Sequence, residues 1–306
     1  MNPSRPRAPV VPAFPQCRPL ELSDQGTVRE ALAADPPEIS DFTFACLWIW
    51  RRTLPVDISA LDGGLVFVIR SDRCPSYALP PIAVADPVGV ARRVLDSLRA
   101  KEGPLAGLRL VPEALASALQ SAGLHVEDDR AATDYVYRSA DLVDLPGRRY
   151  DAKRNWIRRC LATHACAYEP IRGPVVAECA TYMEEWCADR DCAEDVDLCA
   201  EATAVREAFA QWEELGLAGG AIRVRGDVRG FAVGERLSGT MGVQHFEKAD
   251  ARVPGLYQVV NQWFTREAFA DVEWVNREED LGNPGLRKAK QSYHPTRMVK
   301  KFLVTG

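Results

Sequence analysis

The stretch GGAIRVRGDVRGFAVGERL, residues 219–237, sets the architecture of the C-terminal half. Gly219-Gly220 opens an apolar run from Ala221 to Val224. Gly226-Asp227 turns the chain, and a second run extends from Val228 to Leu237. Short apolar runs joined by a Gly-Asp pair read as antiparallel strands around a tight turn. A further strand is expected at 239–246. A helix is expected at 255–268, where Leu256, Val259, Val260, Trp263 and Phe264 recur at helical spacing. A strand at 272–275, a short helix near 284–290 and a last strand near 298–304 complete this half. Helices over 151–162, 175–187 and 198–214 precede it.

The N-terminal half repeats the same grammar. Six prolines in the first 19 residues predict a disordered or extended tail. A helix at 24–34, with Ser23 or Asp24 as its cap, opens the ordered chain. The apolar, aromatic stretch Phe42 to Trp50 packs into this first lobe. Gly63-Gly64 leads into a strand at 65–69, a turn around Ser71-Asp72 and a strand at 77–79. A helix at 87–100, a strand at 108–111, a helix at 113–122 ended by Gly123 and a strand at 135–137 follow. Two copies of one mixed α/β unit explain the repetition. The expected division is a tail at 1–19, one lobe at 20–145 and a second at 146–306.

Composition narrows the function. The chain has 306 residues, 47% of them hydrophobic, and a net charge of −5. A mildly acidic chain is no general nucleic-acid coat, so contact with nucleic acid would come from local basic patches. Nine cysteines, no signal sequence and no long apolar stretch predict a cytoplasmic protein with free thiols. No metal is expected. Cys187, Cys192 and Cys199 cluster, and His164 lies near Cys166, but the paired spacing of structural zinc sites is missing. No nucleophile elbow, phosphate-binding loop or dinucleotide fingerprint is present.

Three segments carry chemistry. GRRYDAKRNWIRRC, 147–160, holds six basic residues and one acid. As a helix it would bury Trp156, Ile157, Cys160 and Leu161 and expose Arg154, Arg158 and Arg159. Such a face is either a solvated surface or a phosphate contact, because guanidinium forks match phosphate oxygens. The junction from Thr240 to Gln262 sets His245, Glu247 and Lys248 at a strand end. Gln258, Asn261 and Gln262 then form a polar stripe on the following helix. NREEDLGNPGLRKAKQSYHP, 276–295, turns an acidic run into a cationic one. From Gly285 to Lys301 there are six Lys or Arg residues and no acid. Carboxylates facing cations across a tight turn suit a charged substrate, though a salt-bridged structural turn has the same composition.

The segments FEKADARVPGLYQVVNQWF, VNREEDLGNPGLRKAKQSYHP and ADLVDLPGRRYDAKRNWIRR resemble stand-alone members of the phosphatidylglycerol lysyltransferase C-terminal-domain family. The resemblance spans most of residues 20–303 and is densest after 135. It implies two tandem GNAT-like acyltransferase lobes. It also implies aminoacyl transfer from a charged tRNA, with the working site in the C-terminal lobe. The sequence carries no counterpart of the membrane-spanning half of the lysyltransferases, so the acceptor is expected to be an amine or hydroxyl on a small molecule or a lipid. Coenzyme A is disfavoured, because the loop Glu247 to Leu256 has one glycine and a proline where a pyrophosphate cradle needs free N–H groups. No other cofactor is expected.

The roles that follow are expectations of that resemblance. His245 is the proton acceptor, with Glu247 as the alternative. Glu278 and Asp280 hold an α-ammonium. Asn261 and Lys288 orient or polarise the carbonyl, and Gln262, Asn276 and Tyr293 complete the substrate site. Arg148, Arg149, Lys153, Arg154, Arg158 and Arg287 hold tRNA phosphates. Two other readings share the scaffold: an N-acyltransferase using an acyl-CoA, and a non-catalytic ligand-binding protein.

Overall fold

The computed structural model describes residues 10–34, 36–71 and 75–306. The chain divides into two compact units. One comprises residues 1–130 with 300–306, and the other residues 131–299. The division therefore falls earlier than the expected 145/146 boundary, and the last strand returns to the first unit.

In the first unit, β1 (Arg18–Pro19), α1 (Gln25–Ala34), α2 (Phe44–Trp50), β2 (Val56–Leu61), β3 (Gly64–Ile69), β4 (Tyr77–Ala78), α3 (Pro87–Glu102), β5 (Leu108–Pro112), α4 (Glu113–Ser121) and β6 (His125–Asp128) follow in order. The sheet runs β1-β2-β3-β4-β5-β14-β6, where β14 is Lys301–Thr305. All pairings are antiparallel except β4 with β5. Val90, Val94 and Leu98 of α3 pack with Ala78, Leu108 and Val111 into one apolar core. The tail is more ordered than its prolines suggest. Phe14 N–H donates to the Ala60 carbonyl at 2.9 Å, and β1 pairs with β2. Proline is tolerated there because β1 is an edge strand. Residues 1–9 lie outside the described residues, and so does most of the turn expected around Ser71-Asp72. Gly63, at φ 85, is instead the turn between β2 and β3, a hairpin whose first strand periodicity did not reveal.

In the second unit, β7 (Asp134–Arg138) and α5 (Ser139–Asp144) lead into α6 (Asp151–Thr163), β8 (Cys166–Pro170), α7 (Pro174–Ala188), α8 (Val196–Ala210) and α9 (Trp212–Leu215). There follow β9 (Ala218–Val224), β10 (Asp227–Arg236), β11 (Met241–Ala249), α10 (Leu256–Ala268), β12 (Trp274–Asn276), α11 (Pro284–Gln291) and β13 (Arg297–Val299). The sheet order is β13-β7-β12-β11-β10-β9-β8. Read from β8, it matches the first sheet position by position, with a parallel pair, β11 and β12, in the fourth and fifth places. The expected last strand at 298–304 is thus two strands, β13 and β14, that serve different sheets.

Helix α10 is the second unit's keystone. Its Leu256, Val259, Val260 and Phe264 are fully buried, each worth about 1.5–3 kcal/mol of apolar burial. Gly255 caps it in the left-handed region, at φ 93. A Cβ there would lie 2.4 Å from the Trp156 carbonyl oxygen, so α6 can approach only over glycine. Helix α6 buries Ile157 and Cys160, while Trp156 and Leu161 stay 42% and 39% exposed. The apolar face expected to hold all four is therefore narrower, because only two of them meet the core.

Candidate functional site

Strands β11 and β12 stay paired for only three residues, from Met241–Trp274 to Val243–Asn276. Beyond that register β11 runs on to Ala249, while the other chain leaves the sheet through Arg277 and Glu278. The two strands diverge, and the wedge between them collects polar side chains from β11, α10 and the 276–280 turn. Here the sequence breaks its own apolar pattern with Gln244, His245, Glu247, Asn261 and Arg277.

His245 sits deepest, with its side chain 1% exposed. Its Nδ1 lies 2.7 Å from Glu278 Oε1 and its Nε2 lies 3.1 Å from Glu235 Oε1. Burial by itself drives an imidazole towards neutrality. The two carboxylates outweigh that effect and raise the pKa to about 10. His245 is therefore an imidazolium at neutral pH with both N–H groups committed, and it has no lone pair to take a proton. This corrects its expected role as proton acceptor. Glu278 reaches it through a left-handed backbone, φ 59, held by a hydrogen bond from its own N–H to Asn276 Oδ1 at 2.8 Å. It is spent on the imidazolium rather than left for an ammonium.

Glu247 anchors a second cluster. Its Oε2 accepts from Gln244 Nε2 at 2.7 Å, Asn261 Nδ2 at 3.3 Å and Arg277 Nη2 at 3.0 Å. Asn261 is fully buried. The Arg277 guanidinium lies 4.9 Å from the Tyr293 ring centre and 5.7 Å from that of Tyr137. Three buried polar atoms here have no hydrogen-bond partner among the described residues: Arg277 Nε, Arg277 Nη1 and Asn261 Oδ1. Buried polar atoms are almost always paired, so two orphaned donors and an acceptor beside one carboxylate mark a place built for a polar ligand or ordered water.

Lys153 belongs to this cluster, not to the surface. Its Nζ donates to Ser292 Oγ at 2.6 Å and lies 3.9 Å from the Tyr293 ring centre. Burial and the nearby Arg277 charge, opposed by Glu247, lower its pKa to about 8. A lysine near neutrality can accept or give a proton.

Several other expected residues are structural. Asp280 is fully buried and accepts from Tyr135 Oη at 2.6 Å, Arg287 Nε at 2.8 Å and Gly282 N at 2.9 Å. It clasps the 280–287 turn, which engages both Asp280, expected to hold the α-ammonium, and Arg287, expected to hold tRNA phosphate, in a structural ion pair. Asn276 bridges to Asp134 at 2.9 Å. Gln262 donates to the Val143 carbonyl at 2.7 Å and so holds α5. Arg154 donates to the Leu145 and Gly147 carbonyls and to Asp151. Arg148, Arg149 and Arg158 are exposed, although Arg149 pairs with Asp141 at 3.1 Å. Lys288 is exposed on α11, and the lysine that turns inward is Lys290, which donates to the Arg277 carbonyl. Spacing could have found it: Arg287 and Lys290 lie three apart on one helix face. Arg277, Gln244 and Glu235 were also missed. Each sits in an unremarkable strand or run and gains meaning only from the divergence of β11 and β12.

The loop before α10 is largely self-satisfied. Asp250 N–H donates to the Arg229 carbonyl, Val253 N–H to the Asp250 carbonyl and Leu256 N–H to the Val253 carbonyl, at 2.9, 3.1 and 3.1 Å. Arg252 N–H donates to Asp250 Oδ1 at 2.9 Å, and Pro254 has no N–H.

A family model described as phosphatidylglycerol lysyltransferase, C-terminal, matches residues 36–305. The chain belongs to that family. Among solved structures, a conserved protein of unknown function from Bacteroides thetaiotaomicron is 28% identical, with a TM-score of 0.88 over 94% of this chain and 98% of that one. The L-PGS structure from Bacillus licheniformis is 12% identical, with a TM-score of 0.64 over 92% and 91%. A tandem GNAT protein from the clavulanic acid biosynthesis pathway is 12% identical, with a TM-score of 0.50 over 95% and 98%. No curated protein matches in sequence. The fold is thus the tandem GNAT-like α/β architecture, and the family is of acyltransferase type. Among the described residues, no helix is long and apolar enough to cross a membrane.

Proposed function

We propose that this lysyltransferase-family member transfers an aminoacyl group from an aminoacyl-tRNA to an amine or hydroxyl of a small molecule or lipid. One observation carries the reading: the orphaned donors of Arg277 and the orphaned acceptor of Asn261 converge around Glu247. An aminoacyl ester has complementary groups. Its carbonyl oxygen accepts from Arg277, and its α-ammonium donates to Asn261 and Glu247. An acetyl group has no ammonium and would leave the acceptor side unpaired. The closed hydrogen bonding of the 250–256 loop likewise disfavours a coenzyme A pyrophosphate.

In this reaction the acceptor's N or O attacks the ester carbonyl carbon. Arg277 stabilises the tetrahedral oxyanion. Lys153, in its neutral form, takes the proton lost by the acceptor, and the resulting ammonium returns it to the ribose oxygen as the ester C–O bond breaks. His245 stays charged and positions Glu278 and Glu235. The exposed Arg148, Arg149 and Arg158 contact acceptor-stem phosphates.

The test compares a mixture of charged tRNAs with acetyl-CoA. Release of free tRNA and labelling of an acceptor, together with tRNA binding that weakens steeply with salt, are expected. A thermal shift with acetyl-CoA and acetyl transfer would replace this reading with an acyl-CoA N-acyltransferase. Binding without turnover of either donor would make the chain a ligand-binding protein.

A further inference from the structure

The basic helix α6 carries one large side chain that the core does not explain. Ile157 and Cys160 belong to the apolar core of the second unit, whereas their neighbour Trp156 is 42% exposed. We infer that Trp156 is a platform on which the terminal adenine of a tRNA 3′ end stacks, so that the aminoacyl ester comes to lie beside Lys153. This rests on the donor proposed above and names the part of it that the helix grips.

Position is the first argument. Trp156 follows Lys153 by three residues, and such pairs have their Cβ atoms about 5–6 Å apart along one helix edge. Lys153 turns inward to Ser292 and Tyr293, so Trp156 stands at the rim of the cluster that holds the proposed proton acceptor. Its carbonyl lies against Gly255, which seats this turn of α6 on the start of α10. A base stacked at this rim leaves the ester one ribose away.

The surroundings are the second argument. Arg159 Cζ lies 5.3 Å from the Trp156 ring centre. Arg158 and Arg159 are exposed and make no ion pair among the described residues. An aromatic face beside unpaired guanidiniums suits a single-stranded nucleic-acid end, because the base stacks while its phosphates meet the cations. A lipid surface would call for a continuous apolar patch. Leu161 is the other large exposed apolar side chain of α6. It lies five positions on, about 140° around the helix, and the buried stripe of Ile157 and Cys160 runs between the two.

The full chain is titrated at low salt with uncharged tRNA and with the same tRNA lacking its 3′-terminal adenosine. Wild type is expected to bind the intact tRNA about tenfold more tightly, within the range for stacking one base. W156A should bind both alike. W156F, which keeps an aromatic face, should retain most of the difference, and L161A all of it. Equal binding of both tRNAs by wild type, or discrimination that survives in W156A, would overturn the platform and leave the donor reading standing. W156A that loses binding to phosphatidylglycerol vesicles yet still discriminates the tRNAs would make Trp156 a lipid anchor instead. No binding of either tRNA by wild type, with no tRNA released from the charged mixture, would overturn both readings.

Discussion

The parallel pairs β4–β5 and β11–β12 occupy equivalent places in two sheets of the same strand order, and they are filled with opposite chemistry. In the first unit the pair is reduced to one register position, Ala78 with Leu108. The chain then leaves through Leu79, Pro80 and Pro81, all buried. Proline has no N–H to satisfy, so a divergence lined by prolines and apolar side chains can close without a polar partner. In the second unit, β11 runs six residues past its register with β12, and those residues include Gln244, His245 and Glu247. The topology makes a wedge in both units. Charge turns only the second into a candidate site, which is why fold alone does not settle function here.

The largest effect expected from attacking this contrast comes from Glu247→Ala. Arg277 would keep a buried charge with no carboxylate, at a cost of about 3–5 kcal/mol. Urea midpoints should fall accordingly, and aminoacyl transfer should be lost even in folded protein. Unchanged stability would show that the guanidinium is solvated and that the cluster is not a preorganised site.

His245→Ala comes next, at about 3 kcal/mol near neutral pH, because Glu235 and Glu278 would face each other unscreened. The pH dependence distinguishes an imidazolium from a neutral ring. The folded pKa is raised from 6.5 to about 10, so the stabilisation is complete below about pH 6.5 and is lost as pH climbs through about 10. The gap between wild type and variant should narrow over that range. A gap that closes already at pH 7 would return His245 to the neutral, base-competent form.

Leu108→Ala tests the apolar junction. Leu108 is fully buried against α3, and truncation should cost about 2–3 kcal/mol. Its effect should fall on stability, while the transfer rate of the folded protein is unchanged.

The outline of both units was readable from the chain. Apolar spacing gave α3, α10 and the β9–β10 hairpin, because those elements bury one continuous face. What escaped were pieces whose state depends on distant partners. Strand β2, strand β8 and the split between β13 and β14 are set by neighbours far away in sequence. The site was half legible. His245, Glu247 and Asn261 stood out as polar residues in an apolar frame. Arg277 looked like one charge among several, and Lys153 looked like one base in a basic helix. Only the folded chain shows that Lys153 alone of that set turns onto Tyr293.

Lys153→Met should lower transfer about a hundredfold at pH 7.5, the low end of the range for a general base, and should abolish the rise in rate expected through about pH 8. The stability effect has the opposite sign to that of His245. A lysine whose pKa falls from 10.5 to about 8 opposes folding when charged, so its cost is present below about pH 8 and disappears above 10.5. The methionine variant should therefore be no less stable than wild type at pH 7. An intact pH–rate profile would transfer the proton-accepting role to another group.

Lys288→Ala is expected to do least, within about 0.5 kcal/mol in stability and with no change in rate, as for an exposed side chain with no structural partner among the described residues. Its value lies in the pair it forms with Lys290. The two residues lie two apart on α11, and sequence gives no reason to prefer one. The helix turns them about 200° from each other, so when Lys290 is buried against the Arg277 carbonyl, Lys288 must face solvent. A marked loss of activity in K288A with K290A unaffected would mean that α11 is rotated from the orientation described. The Asp280–Arg287 clasp and the placement of Arg277 would then need to be redrawn with it.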